Sequence, residues 1–157
     1  MWQTQASIDV AALPQIVYDY LADLRRHKEW SLGVEEINLV KGDRIEVGAE
    51  FKAEERVPMK FTSFSRITRL EPPSRIEWLA WDGRMFEVKW SFELRPTGST
   101  TRVTQVARFE PRNILARALL LAIRKRQIPK ENIKSLKRLK DCVEASSSVG
   151  AVHPQTR

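Results

Sequence analysis

The chain has 157 residues, of which 42% are hydrophobic and 30% are charged. These proportions are typical of one globular domain and exclude a largely disordered chain. The single cysteine, Cys142, excludes an intrachain disulfide and favours a reducing, cytoplasmic location. With only two histidines there is no zinc-ligand spacing, so we expect no metal and no cofactor. The N-terminus lacks the basic start and apolar core of a secretion signal.

The formal net charge of +7 is concentrated towards the C-terminus. Residues 1–110 contain 16 Lys and Arg against 17 Asp and Glu, whereas residues 111–145 contain 10 basic and 3 acidic residues. A basic helix can contact phosphate, an anionic membrane or an acidic partner, although a solvated helix face is the more common explanation. The basic stretch has no interleaved aromatic residues for base stacking, so nucleic acid is the least favoured partner.

The first segments predict a strand followed by a helix. Residues 4–10 alternate between apolar and polar side chains, as a strand does. Pro14 suits the first turn of a helix, and the apolar residues after it follow one helical stripe as far as Leu24. The periodicity is lost over residues 25–30, where we expect the helix to end and His27 to lie in a surface loop.

Six further strand-like runs follow at short intervals and are connected by turn residues. The runs cover residues 34–40, 49–57, 60–70, 75–81, 85–95 and 101–110. Asp82-Gly83 is the strongest hairpin signal, whereas Pro58 and Pro72-Pro73 mark other connections. Alternate residues from Phe86 to Leu94 are apolar, which indicates an antiparallel sheet with one buried face and one hydrated face.

The C-terminal segment predicts a long helix that covers the buried face of the sheet. One face of this helix carries an apolar stripe: Ile133, Leu136, Leu139 and Val143. Pro129 is expected to break or kink the helix, because proline removes a helical hydrogen bond. The longest apolar run, residues 118–123, is far shorter than the roughly 20 residues that span a bilayer. Residues 146–157 are small and polar, which predicts a disordered tail.

Several short motifs acquire weight from their order along the chain. They are Pro14 with Val17 and Trp30, Val47-Gly48, Pro72 to Ile76, and Leu136-Lys137. Together with the element order from about Gln5 to Glu144, they resemble the START/Bet v 1-like (SRPBCC) superfamily, in particular its polyketide cyclase/dehydrase and lipid-transport-like members.

This resemblance implies an α+β helix-grip fold, in which a seven-stranded antiparallel sheet curls around a long C-terminal helix. It also implies a single domain over residues 1–145 and a cavity for an apolar ligand. The superfamily has no shared catalytic motif, so the catalytic residues are unknown.

Strand alternation supplies the inward-facing side chains that are candidates for ligand binding. The candidates are Phe51, Glu55, Phe61, Ser63, Ser65, Trp78, Trp90, Phe92, Gln105 and Phe109. Small-molecule pockets are usually apolar with a few convergent polar groups, as in this set. A bulge or strand end that returns Glu55 to solvent is the more common outcome, because a buried lone carboxylate is costly. Plain core packing would explain Trp78 and Trp90 equally well.

Three functions are consistent with these features. The leading hypothesis is binding or transport of a hydrophobic small molecule or lipid in an internal cavity. The first alternative is a polyketide cyclase/aromatase-like enzyme, whose cavity orients a reactive chain while polar groups move protons. The second is an interaction module that uses the basic C-terminal helix. Residues 114–130 could lie in an anionic membrane interface, although burial against the sheet would explain their apolar side chains as well.

Overall fold

A seven-stranded antiparallel sheet forms most of the computed structural model, which describes residues 1–57 and 59–150. The strands are β1 (Trp2–Val10), β2 (Val34–Lys41), β3 (Glu50–Arg56), β4 (Lys60–Glu71), β5 (Arg75–Trp81), β6 (Phe86–Thr97) and β7 (Thr100–Pro111). Strands β2 to β7 are adjacent in sequence order, and β1 pairs with β7 at one edge. The predicted number and antiparallel arrangement of strands are confirmed. Pro58, one of the predicted turn residues, lies outside the described residues.

Among the described residues, four helices accompany the sheet: α1 (Pro14–Ala22), α2 (His27–Trp30), α3 (Ile114–Leu119) and α4 (Lys125–Gly150). A 3₁₀ turn over Leu24–Arg26 leads into α2, and a π-helical turn over Leu120–Arg124 joins α3 to α4. The last elements of the described residues therefore form one long helical run packed on the curled sheet, which confirms the predicted helix-grip fold. Within the described residues, no helix has the length and apolar character needed to cross a membrane.

Helix α4 continues through Pro129, so of the break or kink predicted there, the break does not occur. The irregularity lies just upstream, in the π-helical turn of residues 120–124. Such turns insert a wider ring into an α-helix without ending it.

The end of α4 also differs from the predicted boundary. Residues 146–150 are helical, so the predicted tail is corrected there, and residues 151–157 lie outside the described residues. The hydroxyls of Ser146 and Ser148 donate hydrogen bonds to backbone carbonyls three residues earlier, at 3.1 and 3.0 Å. Serine can therefore continue this helix, because its hydroxyl bonds back to the preceding turn.

The inward face of α4 is rotated slightly from the predicted stripe. Leu136, Leu139 and Val143 are buried as expected, but Ile133 is 48% exposed and the prediction for it was wrong. Asn132, at 6% exposure, occupies the inward position instead. Residues 132, 136, 139 and 143 are spaced four, three and four apart, which keeps them on one side of a helix.

His27 is buried, in contrast to the predicted surface loop. Its Nε2 lies 3.2 Å from the carbonyl oxygen of Leu21, and its ring centroid lies 4.9 Å from those of both Trp30 and Trp78. The basic neighbours of His27 are exposed, and they obscure a three-residue spacing of buried side chains at Leu24, His27 and Trp30. Short helical turns produce this spacing, so the ring is directed inward while its charged neighbours face solvent.

The interior divides into two hydrophobic clusters. The large cluster has 22 buried members and joins the sheet to α1, α2 and the C-terminal half of α4. The small cluster has four: Ala107, Phe109, Leu120 and Ile128. Trp90 packs against both. We call the side of the large cluster the closed end and that of the small cluster the cavity end.

Candidate functional site

A cavity of about 330 Å³ lies between the sheet and the helical run at the cavity end. Strand β6 contributes Phe86, Val88 and Trp90 to its wall, and β7 contributes Phe109. The Trp90 and Phe109 rings meet edge to face, with centroids 6.1 Å apart. Most of the wall is therefore aromatic or aliphatic, which suits an apolar ligand.

The helix leaves this space open because its inward face changes character along its length. At the closed end that face carries Leu136, Leu139 and Val143, which are buried in the large cluster. One turn earlier it carries Asn132 and Ser135, which are buried but polar, and both line the cavity. Short polar side chains fill less of the space between helix and sheet than leucine would.

Two polar groups on the helix side of the cavity are already paired within the protein. The Ser135 hydroxyl accepts a hydrogen bond from the Leu32 backbone N–H at 3.0 Å, which ties α4 to the loop after α2. Arg124 donates two hydrogen bonds to the carboxylate of Glu131, each at 2.9 Å. This bidentate pair keeps a long charged side chain in a fixed position beside the cavity.

Glu55 places a carboxyl group on the opposite wall. It lies in β3 beside Phe61 of β4, is half-buried, and accepts a hydrogen bond from the Ser63 hydroxyl. Burial raises the pKa of the Glu55 carboxyl above its ordinary value, and the negative charge of Asp82 acts in the same direction, while the bond from Ser63 opposes both. Glu55 is thus a carboxyl group that holds its proton more strongly than an exposed one.

Asp82 organises the turn between β5 and β6 at the edge of the cavity. Its Oδ1 accepts hydrogen bonds from the backbone N–H groups of Arg84, Met85 and Phe86 at 3.0, 2.8 and 3.0 Å. Gly83 has a φ of +83°, which glycine adopts without strain. The predicted Asp82-Gly83 hairpin therefore also positions two side chains of the cavity wall, Met85 and Phe86.

Gln105 is the buried amide on the sheet side of the cavity. It lies in β7 opposite Phe92 of β6 and is only 3% exposed. Within the described residues, its Oε1 is buried and has no hydrogen-bond partner. This is an unusual state for a buried polar atom, since most are satisfied.

The ten predicted site residues separate into two groups. Six line the cavity: Glu55, Phe61, Ser63, Trp90, Gln105 and Phe109. Four are buried elsewhere and do not line it: Phe51, Ser65, Trp78 and Phe92. Strand alternation selects the inward face correctly in both groups, but it carries no information about where along a strand the helix stops packing closely.

Strand alternation does not address the helix side of the cavity, so the predicted site residues include none from it. Its lining residues recur at helical spacing: Leu120, Arg124, Ile128, Glu131 and Ser135. This spacing of four, four, three and four is visible in the sequence and could have identified them. The cavity mouth is marked by lining residues that are exposed, Met59 at 77% and Phe61 at 37%.

Comparison with known proteins gives one family and several related folds. Residues 1–144 match the model of the family described as polyketide cyclase/dehydrase and lipid transport. No curated protein matches the chain significantly.

Three solved structures illustrate the likeness. A Thermus thermophilus protein is 18% identical, with 92% of this chain and 99% of that chain covered and a TM-score of 0.74. The Zhui aromatase/cyclase of a Streptomyces species is 16% identical, with 91% and 93% covered and a TM-score of 0.74. A START superfamily protein from Mycobacterium smegmatis is 11% identical, with 92% and 95% covered and a TM-score of 0.67. At these identities the likeness is one of fold.

Proposed function

We propose that this chain, which belongs to the polyketide cyclase/dehydrase and lipid transport family, binds a hydrophobic small molecule or lipid between its sheet and its C-terminal helical run. The observation that carries the proposal is the cavity of about 330 Å³ with its largely apolar wall. Moving an apolar ligand from water into such a space is favourable by about 25 cal/mol for each Å² of apolar surface buried.

The size of the cavity narrows the class of ligand. Its volume is at the lower end of the roughly 300–1,000 Å³ that small-molecule sites usually provide. A compact aromatic molecule or a short acyl chain suits this volume better than a complete two-chain lipid. The flat rings of Trp90 and Phe109 favour an aromatic ligand, since offset and edge-to-face contacts stabilise aromatic pairs.

The test is a titration of the purified protein with a naphthalene-sulfonate probe, together with native mass spectrometry to detect a co-purified ligand. We expect saturable binding of the probe by the native protein, and about tenfold weaker binding by Trp90→Ala, because its ring forms part of the wall. Trp2→Ala is the matched control, since Trp2 is also half-buried and packs on Phe109 but does not line the cavity. No saturable binding by folded wild-type protein would refute the proposal.

Glu55 favours a second candidate function, a cyclase/aromatase-like enzyme. A carboxyl group with a raised pKa beside an apolar cavity can donate or accept a proton during ring closure of a bound chain. The Ser63 hydroxyl, hydrogen-bonded to it, fixes the carboxyl group in position. The similar fold of the Zhui aromatase/cyclase is consistent with such a use of the cavity.

Incubation with a linear poly-β-ketone, followed by mass spectrometry for dehydrated cyclic products, tests this second function. Glu55→Gln should abolish product formation while the probe still binds. Glu54→Gln is the control, because Glu54 immediately precedes Glu55 in β3 and accepts its hydrogen bond from Thr62 instead. Equal product formation by wild type and Glu55→Gln would exclude Glu55 as the proton donor or acceptor.

A further inference from the structure

The side-chain oxygen of Gln105 is a buried acceptor beside the cavity that has no hydrogen-bond partner within the described residues. Residues two positions away on the same strand face, Val103 and Ala107, are fully buried and apolar. Gln105 therefore lies between two apolar side chains, and its Oε1 has no partner within the described residues. A buried acceptor without a donor is costly to maintain, whereas an apolar side chain here would carry no such cost.

Three other polar groups of the cavity wall are already paired within the protein. The hydroxyl of Ser63 is bonded to Glu55, that of Ser135 accepts from Leu32, and Arg124 is paired with Glu131. Gln105 differs from these three groups, because its acceptor atom is buried beside the cavity and has no hydrogen-bond partner within the described residues.

We propose that Gln105 accepts a hydrogen bond from a hydroxyl or N–H group of the bound molecule. The ligand class is then an apolar ring or chain that carries one hydrogen-bond donor, such as a phenol. This inference rests on the proposed ligand-binding function and makes it more specific. A site with a buried acceptor discriminates against ligands that lack the donor, because the acceptor then stays unpaired.

The test compares 2-naphthol with 2-methylnaphthalene, in which a methyl group replaces the hydroxyl. Each compound displaces the naphthalene-sulfonate probe from wild type, Gln105→Leu and Gln105→Met, and the ratio of the two dissociation constants is measured for each protein. Both compounds share the naphthalene ring, so a change that a variant makes in binding of the ring affects both dissociation constants equally and cancels in their ratio. We expect the preference for 2-naphthol to fall about five- to tenfold in both variants.

Ser65→Ala is the control, since Ser65 is a buried polar residue on the inward face of β4 that does not line the cavity. Its ratio should stay close to that of wild type. The inference is overturned if the ratio is the same in wild type and the Gln105 variants, or if Ser65→Ala lowers it equally. Failure of both naphthalenes to bind wild type would instead refute the proposed function.

A different observation concerns the outer surface of the helical segment over the cavity end. Ile114, Leu115, Leu121 and Ile123 are 87, 72, 55 and 49% exposed, so burial against the sheet does not account for them. On the inner side of this segment, Leu119 and Leu120 line the cavity. We call residues 114–126 the rim segment.

The rim segment is also strongly basic. No acidic residue occurs between Glu110 and Glu131, a stretch that contains six Lys and Arg. Arg124 is paired with Glu131, whereas Arg117, Lys125 and Arg126 make no ion pair within the part of the chain that the structure describes. Exposed apolar side chains beside unpaired positive charges suit the interface of an anionic bilayer. The apolar side chains can enter the boundary of the acyl chains, and the basic side chains can contact lipid phosphates.

We infer that the rim segment docks the protein on an anionic membrane surface, with the cavity end directed towards the lipid. The experiment is sedimentation with vesicles of phosphatidylcholine alone or with about 30% phosphatidylserine, whose anionic headgroups give the surface a negative potential. We expect binding to the anionic vesicles at low salt, and a loss of at least fivefold in Leu115→Ser/Leu121→Ser and in Arg117→Glu/Arg126→Glu.

Two control variants separate the rim segment from general properties of the chain. Leu13→Ser/Val40→Ser removes apolar side chains that are 67 and 53% exposed elsewhere. Lys134→Glu/Lys137→Glu makes the same change in net charge on an exposed part of α4. Both should bind vesicles like wild type. Absence of vesicle binding by wild type, equal losses in the controls, or binding to double-stranded DNA in place of vesicles would each overturn the inference.

Discussion

The closed end and the cavity end of the molecule use the same helix and the same sheet in different ways. At the closed end, α1, α2 and the leucines of α4 surround fully buried side chains such as Phe92. At the cavity end, Trp90 is only half-buried, although it lies on the same strand face two residues earlier. We therefore expect stability and the proposed ligand binding to be separable, because they depend on different segments of one interface.

Phe92→Ala should produce the largest effect, because Phe92 is fully buried and stacks on Trp78 with centroids 5.2 Å apart. Removal of its ring leaves a void in the closed end, and we expect a loss of about 3–5 kcal/mol in the free energy of unfolding. Urea denaturation measures this loss. Phe92→Leu is the control and should lose much less. A loss below that of Trp90→Ala would contradict the division into two ends.

His27 should make the closed end sensitive to acid. Burial lowers the pKa of His27 to about 4 from an ordinary value of 6.5. Between these values the unfolded chain binds a proton that the native protein does not, so the free energy of unfolding falls as the pH falls from about 6.5 to about 4. A shift of this size corresponds to about 3 kcal/mol across that range.

The contribution of His27 to this pH dependence is the difference between the free energies of unfolding of wild type and His27→Gln, measured by urea denaturation at several pH values. Carboxylates with lowered pKa values, such as Glu77 beside Arg75, also lose stabilising charge in acid, and the difference removes their effect. The variant should show a shallower decline over this pH range. Identical pH profiles would show that His27 titrates normally in the native protein.

Trp90→Ala should destabilise the protein less than Phe92→Ala, although tryptophan is the larger residue. Part of its ring faces the cavity, so fewer atoms lose packing contacts, and we expect a loss of about 1–2 kcal/mol. Urea denaturation of the two variants under identical conditions provides the comparison. A loss equal to that of Phe92→Ala would mean that Trp90 belongs to a solid core.

Glu55→Gln should have the smallest effect on stability. The contribution of Glu55 should depend on pH in the opposite direction to that of His27. Because the pKa of Glu55 is raised in the native protein, the unfolded chain loses its proton first as the pH rises through the ordinary carboxyl value of 4.5. The wild type therefore loses some stability with rising pH, and the variant should show a small gain in melting temperature at pH 7 that disappears near pH 4. Glu54→Gln should show no such gain.

Much of the architecture was predictable from local patterns. The alternation from Phe86 to Leu94 identified the inward face of β6, and Asp82-Gly83 located a turn that the structure contains. The charge distribution and the apolar spacing identified the long C-terminal helix. These features depend on neighbouring residues in the chain, so a period of two or of three to four in the sequence is sufficient to reveal them.

The division between core and cavity was decided only in three dimensions. The same alternation places Trp90 and Phe92 on one face, but Phe92 is in the closed end and Trp90 lines the cavity. The difference depends on which part of α4 lies opposite each strand residue, leucine at one end and Asn132 with Ser135 at the other. That pairing joins positions tens of residues apart in the chain, and no local period records it.

His27 and Ile133 are single residues whose position could not be predicted from the neighbouring sequence. Charged neighbours made His27 resemble a surface residue, yet two tryptophan rings from separate elements enclose it. Ile133 fits an apolar stripe, yet a small rotation of α4 directs Asn132 inward instead. The sequence by itself determined the strands, the helix and the residues that face the interior. Only tertiary packing decided which of those residues touch one another and which surround a space.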